Sequence, residues 1–187
     1  HLATLRGRRA SVVLWGLHSD HRQVVVTDGS YDRIRSEAKA AARAAGVPIH
    51  GTLSDVAPAG PLEPGTRRRV VVLATAPAGE VVAALRMLRE ARITVESVRT
   101  PASALVSLAR LRGAVSSGLQ AHVAIGETAT TVALTQAGFI RFARDFAWGS
   151  LDESTGFREP IATDDIVARL AADLGTFVDA CGSELSA

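Results

Sequence analysis

A chain of 187 residues and 19.5 kDa is long enough to bury a core, as one domain or as two small ones. A hydrophobic fraction of 47% with a mean hydropathy of +0.18 excludes a disordered polypeptide. The net charge is only +2, Lys39 is the sole lysine among the 21 basic residues, and aromatics make up 4%, so neither a strong basic field nor a base-stacking platform is expected and nucleic acid is not an expected partner.

Cys181 is the only cysteine, which rules out an intrachain disulfide or a cysteine-based zinc site and fits a reducing compartment. The longest apolar runs, such as Val70 to Ala74, are far too short to span a bilayer. The first residues, His1-Leu2-Ala3-Thr4, lack the charged start and apolar stretch of a secretory leader. Because the chain begins on His rather than Met, a longer parent protein is expected.

In chain order, Ser11 to Leu14 and Gln23 to Thr27 read as two strands, a pair joined by the polar stretch that carries His18, Asp20 and His21. Asp28-Gly29-Ser30 ends the second strand and caps a helix over Tyr31 to Ala45, rich in Ala, Arg and Glu. Gly46 and Pro48 stop it. Residues 51–66 hold Gly51, Pro58, Gly60, Pro61, Pro64 and Gly65 without a long periodic run, so they read as a linker or long loop.

The pattern then changes. Residues 68–77, RRVVVLATAP, are apolar on consecutive positions, as in a strand buried on both faces. Gly79 to Ala91 sets Val81, Val82, Leu85 and Leu88 at helical spacing. A strand over Ile93 to Val98 and a helix over Pro101 to Leu111 follow, with Pro101 in the first turn. Strand–helix–strand–helix of this size predicts parallel pairing through a right-handed crossover. Three strands come next, His122 to Gly126, Thr130 to Thr135 and Phe139 to Asp145, joined by a GETA turn and by Gln136-Ala137-Gly138. Thr163-Asp164-Asp165 caps a last helix over Ile166 to Cys181.

Few residues offer chemistry. The turn Gly126-Glu127-Thr128, with Thr130 just beyond, is a candidate phosphate loop, because glycine lets the backbone approach and N–H or hydroxyl donors converge there. An ordinary hairpin turn explains the same residues, and the stretch is neither a P-loop nor a dinucleotide fingerprint. His18, Asp20 and His21 have a spacing that could hold a metal, although a polar connecting loop accounts for them equally well, and no metal site is expected. Arg67-Arg68-Arg69 reads as a solvated strand entry, and Ser103 and Ser107 lack any G-x-S-x-G or His–Asp context. Cys181 reads as a small packed residue and Trp148 as a packing anchor beside Gly149.

The order of elements over residues 68–181 resembles the PilM-type proteins of type IV pilus assembly. These are relatives of FtsA, of the cytoplasmic part of GspL, and of the actin-like ATPase superfamily. Three stretches carry the resemblance: the strand ending in Ala76-Pro77 with its helix and the strand leading to Pro101-Ala102-Ser103-Ala104-Leu105; the turn with Ile125-Gly126 and Thr130-Thr131; and the strand around Gly138, Ile140 and Arg144, followed by a turn near Gly149 and a helix. Residues 10–50 resemble the small subdomain that these proteins carry in place of actin's. The resemblance implies an α/β fold, an actin-like (ribonuclease-H-like) mixed sheet with flanking helices, divided into an inserted α+β subdomain with its linker over 10–66 and a partial actin-like subdomain over 67–187.

It also implies that Gly126, Glu127, Thr128 and Thr130 descend from a nucleotide phosphate loop. That loop normally begins Asp-Ile-Gly, and here Ala124 stands in the aspartate's place. A methyl group cannot hold a magnesium-bound water. The superfamily's first phosphate loop and its adenosine loop have no counterpart in these residues. The expected function is therefore a non-catalytic scaffold, with no cofactor of its own. It would sit at the cytoplasmic face of the inner membrane and dock platform proteins of a type IV pilus or type II secretion machine, or a second copy as a homodimer. The sheet edge or groove of residues 11–45 would receive the partner. The alternatives are a nucleotide-binding actin-like ATPase when full length, using ATP and magnesium, and an unrelated small α/β enzyme. Three consecutive antiparallel strands over 121–145 would separate the actin-like reading from a doubly wound enzyme.

Overall fold

A computed structural model describes residues 9–15, 19–60, 65–152 and 158–185, with side chains to residue 182. His18, and residues 61–64 of the expected linker, lie outside the described residues. In chain order the elements are β1 (Arg9–Val13), β2 (Asp20–Thr27), α1 (Tyr31–Ala44), β3 (Thr52–Pro58), β4 (Arg68–Pro77), α2 (Ala78–Glu90), β5 (Thr94–Arg99), α3 (Pro101–Leu111), β6 (Leu119–Ile125), β7 (Thr130–Gln136), β8 (Phe139–Phe146), the short pair β9 (Leu151–Asp152) and β10 (Glu159–Pro160), and α4 (Thr163–Leu185).

The pairing corrects three expectations. The first two strands are not partners: β1 pairs in parallel with β5, whereas β2 pairs antiparallel with β4. The 51–66 stretch is not all loop, because Thr52–Pro58 forms β3, antiparallel to β4. Its inward face carries the small polar Ser54 beside Val56, which weakens the usual apolar alternation, and Pro58 stands at the strand's end, where no ladder donor is lost. The helix α2 does not return the chain to the sheet it left. It leads from β4, the middle of the antiparallel sheet β2-β4-β3, to β5 in another sheet. A boundary at 66/67 consequently passes through the β2-β4-β3 sheet.

The apolar run of β4 is buried on both faces without parallel neighbours. Val71 and Leu73 pack with Ile34, Ala38 and Ala42 of α1, while Val72 points the other way, into a core with Ala59, Ala102, Val106, Ala133, Ile140 and Ala143. Adjacent residues thus serve two cores, which is why the pattern is continuous rather than alternating. α1 starts where expected, with the Ser30 hydroxyl accepting from the Arg33 N–H. α3 is capped in the same way by Thr100, with Pro101 at its first position.

β6, β7 and β8 are antiparallel with β7 central, so the strand containing Ala124 has no parallel neighbour. Ala133 of β7 faces α3, and Val132 and Leu134 face Phe177 and Cys181 of α4. The β7–β8 connection is a tight turn with Ala137 at φ 50° and Gly138 at φ 78°, the two left-handed positions of a hairpin whose twist matches its strands. Among the described residues no helix is long and apolar enough to cross a membrane.

Candidate functional site

The Gly126–Ala129 turn closes the β6–β7 hairpin through the Gly126 N–H, which donates to the Ala129 carbonyl at 2.9 Å. Its outward carbonyls are also engaged: Ser150 N–H donates to Gly126 at 2.8 Å and Leu151 N–H to Glu127 at 2.9 Å. This contact needs Gly149, since a Cβ there would collide with the carbonyl groups of Gly126 and Glu127. On the other side the Trp15 indole covers Gly126, filling the space where a side chain would project.

The four candidate phosphate-loop residues meet different surroundings. Gly126 lies between Trp15 and the 149–151 segment. Glu127 is exposed and meets Arg158 at 3.6 Å, a pair open to solvent on both sides. Thr128 is exposed. Thr130 is fully buried in β7, and its Oγ1 finds no partner among the described residues. Ala124 faces Thr131 across the β6–β7 ladder.

One carboxylate that sequence reasoning passed over stands close to this ladder. Asp145, on β8, accepts from Thr131 Oγ1 at 2.6 Å, from Ser19 Oγ at 2.6 Å and from the Ser19 N–H at 3.2 Å. It ties the start of β2 to the β6-β7-β8 sheet. Asp145, the one acidic residue in a strand of apolar and basic ones, was the available signal. Nearby, His21 Nε2 lies 3.3 Å from Thr100 Oγ1, the cap of α3, and its Nδ1 is buried without a partner. Burial pushes the His21 pKa below the usual histidine value, against the opposing pull of the Asp145 and Asp20 charges. Asp20 itself pairs with Arg22 at 3.0 Å. Among the described residues no cluster of His, Cys, Asp and Glu forms a metal site.

The best-formed cavity, about 340 Å³, opens elsewhere, between the β1–β5 pair, the β2-β4-β3 sheet and the first turns of α2 and α3. Its walls are mostly apolar, with Leu53, Ala74, Val81, Leu85 and Val98, and Leu53 remains 45% exposed. Ser54, Thr75 and Arg35 bring polar groups to it, and Asp55 on its edge is held by the Tyr31 hydroxyl and by the Val56 N–H at 2.7 Å. A wider groove of about 760 Å³ separates β2 and α1 from β8 and α4, lined by Asp20, Arg22 and Arg144 as well as Val25 and Phe142.

No family model matches the sequence, and no curated protein matches it. Among solved structures, a chain of the PilM–PilN type IV pilus biogenesis complex superposes with a TM-score of 0.66 at 18% identity, over 96% of this chain and 55% of that one. A Bacteroides thetaiotaomicron protein with an actin-like ATPase fold and unknown function aligns with a TM-score of 0.42 and 8% identity, over 91% of this chain and 54% of that one. The chain thus spans about half the length of either. At 18% identity the likeness to the pilus-complex chain is one of architecture alone: this chain has a mixed α/β fold like the matching part of that structure.

Proposed function

We propose that this chain is a non-catalytic docking module of a type IV pilus platform, working at the cytoplasmic face of the inner membrane. The observation that carries the reading is the apolar cavity of about 340 Å³ between two separate sheets, with Leu53 exposed at its edge. An opening of this kind takes an apolar anchor of a partner segment, and the β4 wall, held by a core on each face, limits part of the ordering cost of binding. The superposed chain comes from a complex of PilM with PilN, which supports a PilN-type platform protein as the partner. A type II secretion platform is the other machine of this kind that the fold would suit.

The Gly126–Ala129 turn supports the same reading by elimination. The Gly126 N–H is spent on the Ala129 carbonyl and an indole lies over the glycine, so this donor and the close approach that a phosphate oxygen needs are both taken. The test has two arms. A fluorescent peptide covering the cytoplasmic segment of the PilN-type protein should bind, and Leu53→Arg should weaken it at least ten-fold; equal binding by both proteins overturns the reading. In thermal melts ATP with magnesium should leave the midpoint unchanged, and stabilisation at millimolar or lower ATP overturns the non-catalytic part.

A second reading, a nucleotide-binding ATPase when full length, has one observation in its favour: Asp145 sets a carboxylate across Thr131 from Ala124. ATP turnover by full-length protein that falls with Asp145→Asn would favour it.

A further inference from the structure

The docking cavity has a polar end that an apolar anchor would leave unsatisfied. Ser54 is 8% exposed, and its Oγ is buried with no hydrogen-bond partner among the described residues. The β3–β4 register sets it directly opposite Thr75, which is 7% exposed and lines the same cavity. Arg35 reaches the cavity from α1, and its Nε is likewise buried and unpartnered. A buried hydroxyl and a buried guanidinium N–H left without acceptors are costly, and a ligand group that accepts from both removes the cost.

The chemistry of that group follows from the donors. Arg35 can only donate, so the ligand atom must accept; an ammonium is excluded, and a methyl group leaves the cost standing. The charges around the cavity point the same way. Arg35 and Arg99 line it against a single carboxylate, Asp55, whose oxygen accepts from the Tyr31 hydroxyl and the Val56 N–H rather than from either guanidinium. The surplus is positive, and a carboxylate has lone pairs enough for a guanidinium and a hydroxyl together. Leu53, Val81 and Val98 surround the remainder with apolar surface.

Resting on the docking reading above, we propose that the partner segment carries an acidic side chain flanked by aliphatic ones. Its carboxylate is held by Arg35 and Ser54, and its aliphatic neighbours lie against Leu53 and Val98. Acid against amide is then the selectivity of the site.

The test uses acetylated, amidated tetrapeptides, Leu-Glu-Leu-Leu and Leu-Gln-Leu-Leu, titrated into the 15N-labelled chain, with the amide signals of Ser54, Thr75 and Ala76 as readout. The Glu peptide should saturate the shifts at a concentration at least ten-fold below that of the Gln peptide. Arg35→Met and Ser54→Ala should each erase that preference while amide spectra stay dispersed. Arg35→Lys, which keeps the charge, should retain part of it and guards against a folding failure of Arg35→Met. Equal response to the two peptides overturns the proposal, as does a preference that survives both substitutions. Absence of any saturable shift at millimolar peptide also overturns it. Octanoate saturating the site where the Glu peptide does not would assign the cavity to a free acid and sink the segment. A partner peptide that binds in a Leu53-dependent manner, with no effect of Arg35→Met, would leave the docking reading standing and remove only the carboxylate.

Discussion

Asp145 joins two parts of the chain that lie 126 residues apart, and its removal has a calculable effect. Its carboxylate accepts from Thr131 Oγ1 and Ser19 Oγ, each at 2.6 Å, and from the Ser19 N–H at 3.2 Å. A hydrogen bond to a charged group contributes about 1.5–3 kcal/mol net, and an orphaned buried partner adds its own desolvation cost. Thr131 is 2% exposed, so its hydroxyl has no route to water once the carboxylate is gone, whereas Ser19 is only half-buried and can be rehydrated. Counting the Thr131 bond in full and the Ser19 bonds in part, Asp145→Ala should destabilise the fold by about 2–4 kcal/mol. Asp145→Asn keeps one acceptor oxygen and should lose about half as much. In a urea titration the midpoint should fall with the slope unchanged. Combined with Thr131→Val, which removes the hydroxyl, the Asp145→Ala loss should shrink by about 1–2 kcal/mol in a double-mutant cycle. A loss below about 0.5 kcal/mol for Asp145→Ala, or strict additivity with Thr131→Val, would refute the account of this seam.

Gly149→Ala places a methyl group against the Gly126 and Glu127 carbonyl groups and should cost about 1–3 kcal/mol, read from the urea midpoint. Gly175→Ala, in α4 with open space around its Cα, should instead add about 0.5–1 kcal/mol, and a loss at both positions would indicate a generic effect of substitution. Ala137 adopts a left-handed φ of 50°, so Ala137→Asn, which tolerates that region, should raise stability by about 0.5–1 kcal/mol in the same assay. His21 is held neutral by burial, with a folded pKa below the 6.5 of the unfolded chain. As pH falls below about 6.5 the unfolded state takes up a proton before the folded state does, so stability declines until the folded His21 itself titrates. His21→Gln should flatten the drop in urea midpoint between about pH 7.5 and pH 5.5, and an unchanged drop would remove His21 as its source.

Most elements were legible because their patterns are local. Tyr31–Ala44 carries a cap, strong helix formers and a glycine stop, and the β6-β7-β8 meander is bounded by turn residues that dictate its hairpins. Pairing between distant strands was not legible. Nothing in Ser11-Val12-Val13 distinguishes a partner at Gln23–Thr27 from one at Thr94–Arg99, because the choice depends on which cores the intervening chain builds. β3 escaped because a serine sits beside Val56 on its inward face and its flanks hold Gly and Pro. The resemblance marked the turn at Gly126, but the N–H groups that meet its carbonyls belong to Ser150 and Leu151, each 24 residues beyond its acceptor (150 − 126 and 151 − 127), and such a pairing leaves no local trace. Asp145 was missed for the same reason: a carboxylate in a strand says nothing about the hydroxyls that will meet it.

β4 is the element that fixes one wall of the cavity between the two sheets. Val71 and Leu73 commit one of its faces to the α1 core and Val72 commits the other to the core under α3, so the strand cannot shift without disturbing both. The cavity's back wall, Ala74 to Ala76, is the continuation of that strand, and β3 is paired with it over the full length of Ser54 and its neighbours. The opposite wall is different. Among the described residues Val98 and Arg99 belong to a parallel pair of strands, β1 and β5, with Val13 and Val98 both exposed at 39%. A segment seated between them would meet one rigid surface and one that can move onto it. Most of the ordering cost would then fall on β1 and β5, and binding would be felt first in the Ser11–Ser97 hydrogen bond, 2.9 Å long and open to solvent.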